Sequence, residues 1–445
     1  MKQRVFYIGS DAEVTHHAQP LMARMDIEII SPEKITEQAN ENDLAIFFSE
    51  HFHRFRTAIE TLKQKNCRTI YAVDGILEWR NAFENKEAEP ACPWTMRPVL
   101  CHKVACIGRS QVRQLAYWGN RNKIELVGLP RLDGWQSSKA ANSGISNEIG
   151  QPDQIVDSAN PKPAKVMVMT AKWAAFTEEQ LQFVRRSLLD LKQWFDDFNA
   201  TQSRKIDVIW RLTGGLAESI GVKNSMTDTV GGELNHQMND CDCLITTPST
   251  AVLEGMLTRL PTAVLEYNPS PQLTHTVWEI RHAAQIKPVI TELLDPPARK
   301  LAHQEYCLHD ALECPPPESN TDGNHNAGTA TDRLETLVKT MLSYPTDQMP
   351  NQIVPVAQSP FSSRSDSNFL MNGHQLFETN SLREAQAHAA QLERDVARLE
   401  KRNAILEREF KRAKRTIKNV AENPIISPLL KVGNIAGKIF KKPTS

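Results

Sequence analysis

The feature that most constrains this chain is a rhythm of short apolar runs alternating with amphipathic stretches. From the start the runs read "RVFYIG", "DLAIFF" (Asp43 to Phe48), "RTIYAVDG" (Arg68 to Gly75), "KVACIG" (Lys103 to Gly108) and "KIELVGLP". Runs this short, rich in β-branched and aromatic residues and separated by helical segments such as "FRTAIETLKQKN", form strands buried on both faces of βαβ units. Over residues 137–164 the rhythm gives way to Ser, Asn, Pro and Gly, and it restarts with "KVMVMTAK", "KIDVIWRLTGG", "CDCLITTPST" and "PTAVLEYN". The spacing predicts two doubly wound, Rossmann-like α/β domains, 1–136 and 165–345, joined by a linker over 137–164. A polar excursion from Pro315 to Thr331 precedes the helix "DRLETLVKTML", which is expected to close the second domain.

The rest of the chain is different in kind. Residues 346–380 read as a disordered linker, and from Leu382 to Val420 apolar residues recur in alternating steps of three and four, a heptad that predicts a coiled coil over 381–421. Asn403 falls at an a position, where a buried amide is best tolerated against its own copy, so the expected assembly is a parallel homodimer. A long solvated helix is the alternative. The last stretch, 422–445, is a basic amphipathic tail whose "PLLKVGNIAGKIFKKPTS" mixes apolar residues with lysines and no acid. From 424 to 445 it suits an anionic membrane surface, and a frayed end suits the same composition.

Composition sets the surroundings. A net charge of -1 over 445 residues gives no whole-chain case for nucleic acid. The eight cysteines form no C-x-x-C pair, so neither a zinc site nor a disulfide framework is expected, and Cys241 and Cys243 read as small buried residues. "MKQRVFYIGSD" is too short in apolar residues for a signal peptide, and no run approaches the roughly 18 residues of a spanning helix. The expected location is the cytoplasm, with a peripheral position on the inner face of the cell membrane if the tail binds there.

In open α/β sheets ligands bind beyond the carboxyl ends of strands, at loops that feed helices. The hinge "TTPST", Thr246 to Thr250, occupies such a place. Its Thr247, Ser249 and Thr250 are candidates to hold a diphosphate, aided by the positive end of the helix that begins at Ala251, and Glu254 is placed to accept hydrogen bonds from a ribose. A helix cap with Glu254 near the capping-box position explains the same residues equally well. After the preceding strands of this domain, "MTAKWAAF" and "IWRLTGG" bring Thr170, Lys172, Arg211 and Thr213 to the same rim. Trp173 and Trp210 are read as packing residues, with base stacking open for one of them.

Small and hydroxyl residues after an apolar strand, an acid in the next helix and "LPTAVLEY" as the following strand resemble the nucleotide-binding half of GT-B glycosyltransferases. The likeness is nearer to the CDP-glycerol glycerophosphotransferases, whose hinge has the form I-T-D-[YF]-S-S; here Thr247 stands in place of the acid. "VGLPRLD" (Val127 to Asp133) resembles that family's G-Y-P-R-N-D, and "YAVDGILEW" takes the place of its W-H-G-T-P-L-K, with Asp74 where the catalytic histidine would be. The resemblance spans about the first 345 residues. It implies a nucleotide-activated donor as substrate, no other cofactor and no metal, with a basic side chain offsetting the leaving diphosphate; Arg211 and Lys172 are the candidates for that. An acceptor hydroxyl, on a glycan or a lipid-linked chain, needs a general base, for which Asp74 stands first and His51 and His53 in "SEHFHR" are reserves. Loss of both the histidine and the acidic hinge residue favours sugar transfer over glycerophosphate transfer. It also leaves open a same-fold epimerase and an inactive scaffold assembled through its coiled coil.

Overall fold

A computed structural model of the chain describes residues 3–84, 96–135, 162–226, 232–313, 328–354, 401–404 and 406–415. Six strands form the first sheet: β1 (Val5–Ile8), β2 (Ile27–Ile30), β3 (Leu44–Phe47), β4 (Arg68–Ala72), β5 (Lys103–Cys106) and β6 (Ile124–Leu126). They run in the order β2-β1-β3-β4-β5-β6. Five form the second: β7 (Ala164–Met169), β8 (Ile206–Arg211), β9 (Cys243–Thr246), β10 (Thr262–Leu265) and β11 (Trp278–Ile280), ordered β11-β10-β9-β7-β8. Every pairing is parallel. Helices cover both faces, which is why β1, β3, β5, β9 and β10 are buried at every position. β2 and β11, short strands at the sheet edges, were not among the runs read from the sequence.

The helices around the first sheet are α1 (Asp11–Met22), α2 (Pro32–Gln38), α3 (His53–Gln64) and α4 (Arg109–Leu115). Those that follow are α5 (Glu178–Thr201), α6 (Leu216–Ile220), α7 (Gly232–Asn239), α8 (Ala251–Leu257), α9 (Ile286–Leu294), α10 (Ala298–Ala311) and α11 (Ala330–Ser343). α5 shows the local logic. Thr177 caps it by accepting from the Gln180 amide, two glutamates follow in the first turn where the helix dipole favours them, and Val184, Leu188, Leu191 and Phe195 form its buried stripe.

Each sheet reverses winding once. In the first the chain steps from β1 out to β2 and returns beyond β1 as β3; in the second β7 is followed outward by β8 and then by β9 on the other side. The crevices at β1/β3 and β7/β9 are the two places where a doubly wound sheet opens to a ligand.

The domains touch closely. Val252, Leu253 and Met256 of α8 and Cys307 and Leu308 of α10 share one core with residues of the first sheet. A Cβ on Gly108 would lie 2.1 Å from the Ala311 carbonyl oxygen. From the first domain, a π-helical turn (Arg80–Glu84) reaches into the second: Arg80 donates to the Ala174 carbonyl at 2.9 Å, and Glu84 accepts from Gln180 and Ser270.

Helix α11 departs from expectation. It does not close the second domain but returns to the first, where Leu334, Leu337, Val338 and Met341 pack with Val5, Val14 and Ile46. The start of the expected linker follows it, since Val354 is buried in the same cluster. There the amides of Ile353 and Val354 donate to Glu125, which also pairs with Lys103 at 2.7 Å, so the buried ion pair is completed by this strap. In the separate C-terminal unit, 401–404 and 406–415 are helical, with Leu406 and Phe410 exposed. The remainder of 381–421, the tail 422–445 and most of 137–164 lie outside the described residues. Among the described residues no helix is long and apolar enough to cross a membrane.

Candidate functional site

The two crevices face each other. From the first domain come α1 with His16 and His17, the loop after β4 with Asp74 and Gly75, and Arg131 in the turn after β6. From the second come the loop after β7 with Lys172 and Trp173, and the hinge between β9 and α8. Gly75 meets Thr250 closely: a Cβ on Gly75 would stand 2.1 Å from the Thr250 Oγ1, so a larger residue there would push that hydroxyl aside. The Gly75 carbonyl is fixed by the Gln111 amide at 2.7 Å, which steadies the neighbouring Asp74.

Asp74 is 46 % open to the cleft, and its Oδ2 lies 4.0 Å from the His17 Nε2. The surrounding walls raise its carboxyl above the ordinary carboxylate range, against the pull of Arg131 and Lys172. The His17 ring lies between His16, tilted to it with ring centres 3.7 Å apart, and Phe48, near-parallel at 6.2 Å. Burial, with His16, Arg131 and Lys172 adding to it, pushes the imidazole down to about 2. A cation is therefore disfavoured on His17. The sign of the resulting pH effect is fixed. The unfolded histidine takes up a proton below its ordinary 6.5 and the folded one does not, so stability is present above that value and drains away as pH falls. The expected contribution is about 1.4 kcal/mol per pH unit. Unfolding free energies measured across the acid range should fall less steeply for His17→Asn by this amount, and parallel slopes would remove His17 from the explanation.

At the hinge, the hydroxyls divide their labour. Thr247 is buried and accepts from the Ala171 amide at 2.8 Å. Thr213 donates to the Ala171 carbonyl at 2.7 Å, and its amide donates to the Thr170 hydroxyl at 2.9 Å. These three threonines stitch the loops after β7, β8 and β9 together. Ser249 has only long contacts, 3.3 Å each, to the Thr246 hydroxyl and the Ala251 amide. Thr250 makes no side-chain cap bond. Glu254 is in no capping box: buried, it accepts from Arg131 at 2.6 Å across the domain boundary. The helix behind the hinge has seven residues, so its dipole is a small source of field and charge for an anion falls to side chains.

Of the other candidates, Lys172 is exposed in the cleft, within electrostatic reach of His16, His17 and Asp74. Arg211 is turned away: buried, it donates to Gln237 of α7 at 2.7 Å. His51 sits under the π-helical turn, 3.2 Å from Asn81, and burial lowers it to about 4. His53 opens α3 on the surface, 3.5 Å from Thr57. Trp210 is core, edge-on to Phe195 at 6.2 Å, whereas Trp173 is 65 % exposed. Beside it a cleft of about 370 Å3 is lined by Lys172, Trp173, Phe176, Thr213 and Gly214. The structure thus gathers Asp74, Lys172, Ser249, Thr250 and Glu254, and adds His16, His17 and Arg131, which the sequence reading had not chosen. Arg131 had one sequence signal, its place in "VGLPRLD"; the histidines had none beyond a helix that feeds the cleft.

No group of three His, Cys, Asp or Glu side chains that could hold a metal ion occurs among the described residues. The six described cysteines are buried, and Cys92 and Cys314 lie outside the described residues.

No protein-family model matches the chain, and no curated protein matches it in sequence. Solved structures do. One is a co-structure of S. aureus MnaA with UDP, at 10 % identity and TM-score 0.50, covering 77 % of this chain and 97 % of that one. Another, from Listeria monocytogenes, is assigned as a UDP-N-acetylglucosamine 2-epimerase, at 9 % identity and TM-score 0.50, covering 80 % of this chain and all of that one. The wall teichoic acid polymerase TagF superposes less closely, at 12 % identity and TM-score 0.41. At these identities the likeness is one of fold: two parallel α/β domains of the GT-B kind.

Proposed function

We propose that this GT-B-fold protein is a transferase that moves a sugar from a nucleotide-activated donor to an acceptor hydroxyl in cell-surface glycan assembly. The observation that carries the reading is the convergence of Asp74 with Lys172 and the hinge residues Ser249, Thr250 and Glu254 at the facing crevices. In this reading Glu254 takes the ribose hydroxyls, Ser249 and Thr250 donate to the diphosphate, and Trp173 offers its face to the base. The acceptor oxygen forms its bond to the sugar C1 as the bond from C1 to the diphosphate oxygen breaks. That electron pair leaves on the diphosphate, and the hydroxyl proton passes to Asp74. The acceptor is a glycan or a lipid-linked chain; 381–421 would pair two copies, and 424–445 would rest them on an anionic membrane surface.

UDP is the first nucleotide to try, because one similar structure holds it. A thermal-shift series with UDP, GDP, CDP and dTDP should show one that raises the melting temperature. At a hundredfold excess over its dissociation constant the gain is about 2.7 kcal/mol. It should vanish in Ser249→Ala and Glu254→Ala. No shift with any of the four would reduce the hinge to a turn and favour a scaffold. An isomerised sugar released without acceptor would make the protein an epimerase.

A further inference from the structure

Arg131 is built into the cleft more firmly than a passing ion pair needs. Gly128 turns the chain at φ +93°, with the Glu313 carbonyl oxygen so near that a Cβ would meet it at 2.8 Å. A single 3-10 turn (Pro130–Leu132) then presents Arg131. Behind it Asp133 accepts from the amides of Ala330 and Thr331, both at 2.8 Å, and so anchors the turn to the start of α11.

On this fixed base the side chain crosses to the second domain. One N–H meets Glu254, with 15 % and 8 % of the two side chains exposed. Guanidinium carries five N–H donors. The Arg131 Nε is buried and has no acceptor among the described residues. A buried donor left open is destabilising unless a ligand supplies the acceptor. The carboxylate it touches is also the group placed to accept ribose hydroxyls, so a donor nucleotide and Arg131 compete for Glu254.

We propose, resting on the transferase reading above, that Arg131 is a catalytic cation that Glu254 holds until the donor ribose takes that carboxylate, and that it then turns to the leaving diphosphate. The planar fork of guanidinium matches phosphate oxygens. Its guanidinium already stands beside the hinge helix, where one N–H meets Glu254 at 2.6 Å.

Calorimetric titration of the full chain with inorganic pyrophosphate tests this independently of base and sugar. Arg131→Met should weaken pyrophosphate at least about tenfold, the loss of a charge-assisted hydrogen bond. Glu254→Gln should strengthen it severalfold, because the arginine is freed, and should give no gain in the Arg131→Met background. Arg131→Gln replaces the methionine variant if the latter does not fold. Equal weakening by both single substitutions, or the same gain from Glu254→Gln in either background, would mean a static ion pair and overturn the proposal. If the wild type binds a nucleoside diphosphate while Arg131→Met leaves pyrophosphate affinity unchanged, this inference falls and the transferase reading stands. If the wild type binds neither pyrophosphate nor any nucleoside diphosphate, both fall.

Discussion

Asp74→Asn should lower turnover of the nucleotide-sugar by about 10²- to 10⁴-fold, the range a general base contributes, while nucleotide binding stays within a few-fold. The substitution keeps size and shape and removes only the capacity to accept a proton. Asp74 suits it because its backbone is steadied through Gly75 and Gln111, its side chain stands open to the cleft, and its raised carboxyl makes it the stronger base. It contacts none of the hinge side chains through a hydrogen bond or ion pair among the described residues, so binding should survive. A parallel loss of binding would make Asp74 a structural residue, and a rate within tenfold would hand the base to another group.

The second large effect concerns stability. Arg80 is 2 % exposed and lies between two carboxylates, donating to Glu78 at 2.8 Å and standing 3.6 Å from Glu266. Burial lifts the Glu78 carboxyl to about 7 even with this cation beside it. Removing one partner of a buried pair costs about 3–5 kcal/mol, because the remaining charge keeps its desolvation penalty without compensation. Arg80→Met should therefore lower the unfolding midpoint strongly, and should also loosen the two domains, since Arg80 and Glu84 both bond across the boundary. The loss has a pH signature. Protonated carboxyls need no cation, so the defect should be larger at about pH 8 than at about pH 6. Urea midpoints at the two pH values check it; equal and small shifts would show that Arg80 is not what holds the turn.

The rhythm of apolar runs carried the architecture because strands buried on both faces leave a strong local signature. It missed β2, whose four residues have an exposed position among buried ones, and β11, three residues long at the other edge. It also misplaced α11. The spacing of Leu334, Leu337, Val338 and Met341 says which face of a helix is apolar, but not which sheet that face will meet.

The site was half legible for a similar reason. Hydroxyls after strands announce a ligand loop, yet the sequence cannot say that Thr170, Thr213 and Thr247 spend theirs on neighbouring loops while Ser249 and Thr250 do not. Arg211 had the right strand end and the wrong partner, Gln237. The place of Glu254 in the sequence suits a ribose, and the group it holds in the structure is an arginine 123 residues earlier in the chain. Pairings of that span are written in topology, and one sequence read alone does not contain them.

The most direct test of the central claim is release of nucleoside diphosphate from a UDP-sugar, followed with and without acceptor hydroxyls, for wild type and Asp74→Asn side by side. Acceptor-dependent release by the wild type, lost in the variant with UDP still bound, is the expected result. Binding of UDP with no release under any acceptor, or equal release by both proteins, would contradict it.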